Sequence, residues 1–376
     1  MRVCMITPHL PPEQAANALL PGQLGAGLAA HGVETTYVAH PPARQPALPG
    51  RGVLYVPRRS RHVLARTRAG ALAAAGRMVL ALRTAVSASD LVHLHGNGLL
   101  IETAALVAEK FGKPRVITLY GTDVWHHDPA AHARFAGAVR GAAARVFYSR
   151  GLREFAKPLG LAPDPAAVIY APVPARFRPL DAQAREALRR ELGVGAGPLL
   201  LTVKRLHDVA GHDVLLDALP DVLAARAGAA LWIAGDGERR QALEARAAAL
   251  GLSSSVRFLG MIDNEALWRY YAAADLFVLP SRLESWGTVM LEALASGTPV
   301  VATDTAGGLE VHEHFPDDVR LAPRENARAL GAAVVEALGR GRSVGDATRR
   351  RLAGDFSEAA CAARYFDVYR QALDAR

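Results

Sequence analysis

The sequence predicts an α/β protein made of two doubly wound domains that face a central cleft. Short apolar runs alternate with helical stretches along the chain, which is the pattern of parallel strands joined by crossover helices. The 376 residues exceed the size of one typical core. A proline-rich stretch also divides the alternation into two series. Such Rossmann-like domains bind ligands at the carboxyl ends of their strands.

The first series of elements fills the amino-terminal half. The strand-like runs are Val3–Thr7, Thr35–Ala39, Leu91–His95, Arg115–Leu119, Val146–Ser149 and Ala167–Tyr170. The stretch 15–31 is apolar at helical spacing and ends at Gly32, which predicts the first crossover helix. Gly22, Gly25 and Gly27 lie inside this helix rather than in a strand-to-helix turn, so we predict that they permit close helix packing.

The second series follows a linker. Three prolines between Tyr170 and Leu180 exclude both a helix and a central strand. The later strand-like runs are Pro198–Val203, Ala230–Gly235, Val256–Gly260, Asp275–Pro280, Pro299–Thr303 and Val319–Ala322. We therefore predict domains at 1–172 and 178–356, with the helical tail 357–376 packing back on the first domain.

The composition excludes several classes of protein. No apolar run reaches the roughly 18 residues of a membrane-spanning helix. The apolar stretch within residues 1–8 is too short for the apolar region of a signal sequence. Cys4 and Cys361 lie at opposite ends of the chain, which fits a reducing cytoplasm. His93 and His95 alternate on a predicted strand without a third ligand at zinc spacing, so we predict no metal site.

The stretch 280–297 combines a strand end, a turn and a helix start. Gly287 interrupts the pattern and Thr288 begins a helical run, so Glu284 is predicted in the loop and Glu292 in the second helical turn. An ordinary βα unit with exposed glutamates is the structural alternative.

The helix start in this stretch predicts an anion site. The backbone N–H groups of Ser285, Trp286, Gly287 and Thr288 are expected to point unpaired from the helix start, where anions bind. Carboxylates repel phosphate but accept hydrogen bonds from hydroxyls. A nucleotide sugar offers a diphosphate for the amides and hydroxyls for the two glutamates.

The same stretch resembles a known family. Glu284 and Glu292 form a Glu-x7-Glu motif, and 292–303 reads Glu-Ala-x-Ala-x-Gly-x-Pro-Val-Val-Ala-Thr. This resembles the retaining glycosyltransferases of family 4, which have the GT-B fold. The resemblance implies transfer of a hexose-type sugar from a nucleotide-diphosphate donor, with a UDP-sugar favoured, to an acceptor hydroxyl. It is strong in the second domain, the donor side, and loose in the first, the acceptor side.

The resemblance assigns roles in the second domain. Glu284 would fix the sugar ring and Glu292 would grip the ribose, while Arg205 would hold the diphosphate. The family's second cation, a Lys, is replaced here by Ala210. Lys204 is either the substitute cation or solvated, and in a regular strand it would point away from Arg205.

Two further stretches of the second domain are weaker candidates. Gly235 and Asp236 follow a strand and precede a helix, where a ligand approach and a tight turn are equally open. Residues 305–310 resemble the family's Gly-Gly-x-x-Glu loop near the donor sugar, with one residue fewer before the Glu.

In the first domain, 118–123 resembles the family's Thr-x-His-Gly-x-Asp. Tyr120 replaces the His, and it can form a hydrogen bond but cannot carry positive charge at neutral pH. Asp123 is the candidate carboxylate facing sugar or acceptor, and a turn Asp is its alternative. The loop 11–16 lacks the family's paired glycines.

Positive charge is concentrated in the first half. Residues 1–172 carry 19 Lys+Arg against 9 Asp+Glu, and the remainder carries 25 against 27. Arg51–Arg83 contains eight arginines and no acid. This segment is a solvated face, a contact for anionic lipid headgroups, or a site for an anionic acceptor. Nucleic acid is excluded as a partner because almost no aromatic residues accompany the arginines.

The implied enzyme needs no cofactor besides the nucleotide sugar. The sequence has no Asp-x-Asp metal cluster, so we expect metal independence. The acceptor would be a small molecule or a lipid-linked glycan, and the enzyme cytoplasmic, with peripheral contact to the inner membrane face as an extension. Two alternatives stay open: a nucleotide-sugar epimerase, which needs no acceptor, and a non-catalytic polyanion- or carbohydrate-binding protein, in which Glu284→Ala would be silent.

Overall fold

The computed structural model describes residues 1–10, 16–41, 52–56, 68–128 and 131–375. The chain divides into two compact units. Unit 1 comprises Met1–Pro172 and Glu358–Arg376, and unit 2 comprises Val173–Ser357. The carboxyl-terminal helix therefore belongs to unit 1.

The sheet of unit 1 is parallel throughout the described residues. Its strands are β1 (Arg2–Ile6), β2 (Glu34–Ala39), β3 (Val53–Tyr55), β4 (Leu91–His95), β5 (Arg115–Leu119), β6 (Ala144–Phe147) and β7 (Ala166–Val168). Their order is β3-β2-β1-β4-β5-β6-β7. The central strands β4, β5 and β6 are buried along their whole length, as expected for a sheet covered on both faces. The short edge strand β3 is absent from the sequence prediction.

The sheet of unit 2 has the same plan. Its strands are β8 (Leu199–Val203), β9 (Ala230–Ala234), β10 (Val256–Gly260), β11 (Leu276–Leu279), β12 (Val300–Thr303) and β13 (Val319–Ala322). They are parallel in the order β10-β9-β8-β11-β12-β13. Chain order reverses between β8 and β11, so the ends of these two neighbours form the switch point of a doubly wound sheet.

Helices connect the strands of both units. They are α1 (Ala16–Ala29), α2 (Arg68–Ser87), α3 (Leu99–Lys110), α4 (Thr122–Trp125), α5 (Ala133–Arg140), α6 (Arg150–Ala156), α7 (Ala182–Leu192), α8 (His212–Ala225), α9 (Arg240–Ala249), α10 (Leu267–Ala273), α11 (Thr288–Ala295), α12 (Ala306–His314), α13 (Ala327–Arg340), α14 (Asp346–Asp355) and α15 (Glu358–Asp374). No helix in the described ranges has the length and apolar character needed to span a membrane.

Gly25 and Gly27 of α1 permit close packing, as the sequence predicts, whereas the prediction is wrong for Gly22, because no atom of the described residues lies within 4 Å of a Cβ added there. A Cβ on Gly27 would lie 2.7 Å from the Cβ of Ala362 on α15. A Cβ on Gly25 would overlap the hydroxyl of Tyr37 on β2. Helix α15 therefore lies against α1 at a distance that only glycine allows.

The two ends of unit 2 are joined to each other. The N–H of Val173 donates to the carbonyl of Phe356 over 2.8 Å, and Val173 forms a parallel bridge with Ser357. Unit 2 therefore begins at the start of the proline-rich segment rather than at residue 178.

Candidate functional site

The candidate site of unit 2 lies where β8 and β11 end. Lys204 directly follows β8, and the loop 280–287 directly follows β11. Because the two strands are parallel neighbours, their carboxyl ends lie at the same edge of the sheet. The fold therefore brings Lys204 to the loop that carries Glu284.

Both oxygens of the Glu284 carboxylate accept hydrogen bonds from the protein. The Nζ of Lys204 donates to Oε2 over 2.7 Å, and the backbone N–H of Ser285 donates to Oε1 over 3.1 Å. The side chains of Lys204 and Glu284 are 20% and 16% exposed. The prediction that the Ser285 amide is unpaired is therefore wrong, because the Glu284 side chain turns back over the following peptide and accepts its hydrogen bond.

Lys204 has two more partners on the same loop. Its Nζ donates to the Oγ of Ser281 over 2.8 Å and to the carbonyl of Leu283 over 3.3 Å. Lys204 and the neighbouring Arg205 contact different parts of unit 2, which agrees with the expectation that they diverge. Of the two alternatives for Lys204, the solvated one is wrong, since three protein acceptors surround its ammonium.

Arg205 lies at the surface. Its side chain is 75% exposed, and its Nη2 lies 3.4 Å from Oε2 of Glu238. The Nε2 of His207 lies 3.3 Å from the other oxygen of Glu238. The contacts that the structure gives for Arg205 are thus with the loop after β9, and Lys204 is the cation in contact with Glu284.

Gly287 sets the geometry of the helix start. It has φ +75° and caps α11, a conformation that residues with a Cβ rarely adopt. A Cβ here would lie 2.6 Å from Cε of Met290 and 3.2 Å from Cγ of Glu284. Thr288 follows as the first helical residue, so its amide belongs to the first turn, where a helix attracts anions.

Trp286 is part of the core. Its side chain is 1% exposed and stacks on Phe356 with ring centroids 5.8 Å apart, while His314 meets it edge to face at 5.7 Å. Only the backbone of Trp286 can therefore meet a ligand. The indole instead fixes the turn on the body of unit 2.

The start of α12 packs against the Glu284 turn. The N–H of Gly307 donates to the carbonyl of Glu284 over 3.0 Å, and a Cβ on Gly307 would lie 2.8 Å from the backbone nitrogen of Trp286. Thr305 caps α12 by accepting from the N–H of Gly308 over 3.0 Å. The 305–310 stretch singled out from the sequence thus packs directly on the Glu284 turn.

Glu292 lies in the second turn of α11, as predicted. Its Oε2 accepts a hydrogen bond from the hydroxyl of Tyr271 over 2.9 Å. Burial raises the pKa of Glu292 to about 7, against the smaller lowering effects of the Tyr271 hydrogen bond and the charge of Arg176. Tyr271 is absent from the sequence candidates, because it lies on α10 with no motif of its own.

For the stretch after β9, the contacts favour a tight turn over a close approach to a ligand. A Cβ on Gly235 would overlap the carbonyl of Lys204, and a Cβ on Gly237 would overlap the carbonyl of Leu206. The N–H of Leu206 donates to the carbonyl of Asp236 over 3.0 Å. Gly235 and Asp236 therefore hold the loops after β8 and β9 together, which fixes the backbone of Lys204.

The candidates of unit 1 are organised around a turn. The carboxylate of Asp123 accepts from the N–H of Tyr120 over 3.0 Å and from the N–H of Gly121 over 2.7 Å. These are the contacts of the turn alternative. Burial raises the pKa of Asp123, since those amide hydrogen bonds offset desolvation only in part.

Tyr120 meets an imidazole from the neighbouring strand. Its hydroxyl lies 2.6 Å from Nδ1 of His95, the last residue of β4. Burial lowers the pKa of His95 to about 3, so the imidazole is neutral. Next to it, His93 lies 2.7 Å from the Tyr369 hydroxyl and 2.8 Å from the Thr118 hydroxyl. Both histidines therefore belong to a buried network of neutral hydrogen bonds.

No group of three or more His, Cys, Asp and Glu side chains suited to a metal ion occurs in the described part of the chain. The basic segment Arg51–Arg83 falls partly outside the described residues, which within it are 52–56 and 68–83. Most of the loop 11–16 is likewise not described. Predictions about these two stretches stay predictions.

Two family models match the chain, one in each half. Residues 22–177 match the model "Glycosyltransferase Family 4", and residues 184–351 match "Glycosyl transferases group 1".

Curated relatives match about half of the chain. A GDP-mannose-dependent alpha-(1-6)-phosphatidylinositol monomannoside mannosyltransferase of Mycobacterium tuberculosis is 32% identical over 204 residues, which cover 52% of this chain and 53% of the relative. A D-inositol 3-phosphate glycosyltransferase of Nocardia farcinica is 38% identical over 189 residues, which cover 44% of this chain and 41% of the relative. The chain thus spans about half the length of these relatives.

Solved structures share the fold over the whole chain. Sucrose-phosphate synthase from Thermosynechococcus elongatus superimposes with a TM-score of 0.79 at 20% identity, covering 100% of both chains. Anabaena Alr3699/HepE, in complex with UDP and glucose, superimposes with a TM-score of 0.80 at 17% identity, covering 98% of this chain and 99% of the other.

Proposed function

We propose that this chain, a GT-B glycosyltransferase that resembles family 4, transfers a hexose-type sugar from a nucleotide-diphosphate donor to an acceptor hydroxyl. The proposed transfer retains the anomeric configuration of the sugar. The match of both halves to glycosyltransferase models supports the reaction class. The geometry of the Glu284 turn supports the donor site.

The single observation that carries the proposal is the double anchoring of Glu284. Lys204 holds one carboxylate oxygen and the Ser285 amide holds the other, directly before the start of α11. A carboxylate has about four lone-pair sites, so two remain for the hydroxyls of a sugar. The arrangement pairs a hydroxyl-binding carboxylate with an anion-binding helix start, as a nucleotide sugar requires.

The remaining donor contacts follow from this placement. The amides of Gly287 and Thr288 would meet the diphosphate at the helix start. The exposed guanidinium of Arg205 would leave Glu238 and close on the phosphates, since water weakens an ion pair between two exposed side chains. Glu292 would accept hydrogen bonds from the ribose.

The proposed step is a same-face displacement. The acceptor oxygen forms a bond to C1 of the sugar while the bond from C1 to the phosphate oxygen breaks. The acceptor's proton passes to the departing phosphate oxygen, so no protein carboxylate is needed as a nucleophile. Cations and amides around the diphosphate stabilise the negative charge that develops there. We propose that the reaction is metal-independent.

The base of the donor has two candidates. A UDP-sugar is the expectation from the sequence, and GDP-mannose is the donor named for the mycobacterial relative. For the acceptor, we propose a small molecule or a lipid-linked glycan, because the two curated relatives are named for an inositol phosphate and a phosphatidylinositol mannoside. We also propose that the enzyme is cytoplasmic and contacts such a lipid through Arg51–Arg83.

A donor panel tests the assignment. UDP-glucose, GDP-mannose, ADP-glucose and dTDP-glucose are added separately to the protein and its Tm is measured. One of them is expected to raise the Tm, and the same donor should release its nucleoside diphosphate faster in the presence of a hydroxyl acceptor. Glu284→Gln should lower that release by about 100-fold, whereas Glu336→Gln on the exposed face of α13 should not change it.

Two outcomes would contradict the proposal. If no nucleotide sugar raises the Tm, the donor site is misassigned. If the protein releases nucleoside diphosphate and an altered free sugar equally fast without an acceptor, it is an epimerase. The anomeric configuration of the product, measured by NMR coupling constants, tests retention.

A further inference from the structure

Lys204 lies in a site that lacks the second cation of the family motif. The position of the family's Lys is occupied by Ala210, which is fully buried. The ammonium of Lys204 instead enters from the end of β8 and bonds to Glu284. We propose that Lys204 is a positioning residue, which holds the Glu284 carboxylate in the orientation that binds the donor sugar. This inference rests on the proposed function.

The hydrogen bonds of Lys204 favour this role over direct contact with phosphate. An ammonium has three N–H donors. Here Ser281 Oγ, the Leu283 carbonyl and Glu284 Oε2 lie 2.8, 3.3 and 2.7 Å from its nitrogen. All three partners belong to the loop after β11. A phosphate would therefore have to displace one of them.

The backbone of Lys204 is held as firmly as its ammonium. Its N–H donates to the carbonyl of Ala234 over 3.1 Å, and the backbone of Gly235 lies against its carbonyl. The side chain therefore spans from a fixed strand end to the Glu284 loop. Removal of the ammonium would leave a partly buried carboxylate with one donor from the described residues, the Ser285 amide.

Arg205 and Lys204 then have different roles in the donor site. Arg205 is exposed and paired only loosely with Glu238 at 3.4 Å, so it can move to an incoming diphosphate. Lys204 is enclosed by acceptors and stays on the carboxylate. Arg205 supplies the positive charge for the leaving group, and Lys204 orients the carboxylate that binds the sugar.

The experiment separates binding of nucleotide from turnover. Lys204→Met, Lys204→Arg and Arg205→Met are compared with the unmodified protein. UDP and GDP affinities are measured by calorimetry, and kcat and KM are measured with the donor identified by the panel. Arg340→Met, which removes an exposed cation of α13, is the matched control.

For Lys204→Met we expect kcat to fall by about 30- to 100-fold, while the affinity for the nucleoside diphosphate changes by less than about twofold. Arg205→Met should show the reverse, with weaker nucleotide binding. Lys204→Arg should recover part of the lost kcat, because an Arg can still donate to the carboxylate. Combining Lys204→Met with Glu284→Gln should cost no more kcat than Glu284→Gln alone.

Three results would overturn the inference. The first is a tenfold loss of nucleotide affinity in Lys204→Met, which would place the ammonium on the diphosphate. The second is a multiplicative loss in the double variant, which would make the two residues independent. The third is a normal kcat in Lys204→Met while Glu284→Gln is inactive. If the unmodified protein binds and turns over no nucleotide sugar, the proposed function itself fails, and the inference falls with it.

Discussion

The carboxyl group of Glu292 should make the stability of unit 2 depend on pH near neutrality. Burial raises its pKa from the ordinary value of 4.5 to about 7. The fold therefore favours the protonated form. This contribution to stability is fully present below about pH 4.5 and is lost as the pH rises through about 7.

The size of the effect follows from the pKa difference. Each pKa unit corresponds to about 1.36 kcal/mol, so the free energy of unfolding should fall by about 3 kcal/mol between pH 4.5 and pH 8.5 because of Glu292 alone. Glu292→Gln keeps an oxygen that accepts from the Tyr271 hydroxyl but cannot ionise. We therefore expect this variant to match the unmodified protein at low pH and to exceed it by about 3 kcal/mol at pH 8.5.

Urea unfolding followed by tryptophan fluorescence measures this difference. Three of the four tryptophans, at 232, 268 and 286, lie in unit 2, so the signal comes mainly from that unit. Unfolding is recorded at intervals from pH 4.5 to 8.5 for the unmodified protein, for Glu292→Gln and for the control Glu336→Gln, whose carboxylate is on the surface. Parallel stability curves for the first two proteins would refute the burial argument.

The same substitution should act on function in the opposite direction. If Glu292 binds the ribose, an amide accepts hydrogen bonds from its hydroxyls less strongly than a carboxylate does. The more stable variant is therefore expected to bind the donor more weakly. Unchanged donor affinity would remove Glu292 from the ribose site while leaving the stability prediction intact.

Three further substitutions test separate parts of the structure. Gly287→Ala places a Cβ on a residue with φ +75°. It should lower the free energy of unfolding by about 1–2 kcal/mol and remove most of the turnover. Gly195→Ala, whose added Cβ meets no atom within 4 Å, should retain turnover. Asp275→Asn removes the carboxylate charge that pairs with Arg185 and Arg189 and should lower the free energy of urea unfolding by about 2–4 kcal/mol. A loss below about 0.5 kcal/mol would show that these two ion pairs do not stabilise unit 2. Gly27→Ala should lower the Tm because its Cβ meets α15, while Gly22→Ala in the same helix meets open space and should be neutral or stabilising by up to about 1 kcal/mol; equal effects on Tm would refute the packing argument.

The parts of the site that could be predicted are those set by local sequence. Gly287 and Thr288 mark a helix start, so the loop position of Glu284 and the helical position of Glu292 follow without tertiary information. The alternation of side chains along a strand predicts that Lys204 and Arg205 diverge, and they do so although both lie just past the end of β8. Gly25 and Gly27 of α1 could be assigned to packing because they lie away from any strand-to-helix turn, although the same argument fails for Gly22.

The parts that could not be predicted depend on residues distant in the chain or on side-chain conformation. Trp286 is buried because Phe356 stacks on it, 70 positions further along the chain. Tyr271 reaches Glu292 only because α10 and α11 are neighbours in space. The Ser285 amide is paired because a single side chain turns back by one residue. No periodicity or spacing in the sequence specifies such contacts.

The return of the chain to unit 1 at residue 358 has a consequence for biosynthesis. Helix α15 supplies part of the core around α1, yet the ribosome makes it after all of residues 173–357. Residues 1–172 therefore leave part of the α1 surface uncovered until α15 has been made. Residues 173–357 can fold without α15, because their two ends pair through Val173 and Ser357. Unit 1 can therefore be completed only after all of unit 2 has been made, and a nascent chain stalled before α15 would leave the surface of α1 that α15 covers exposed.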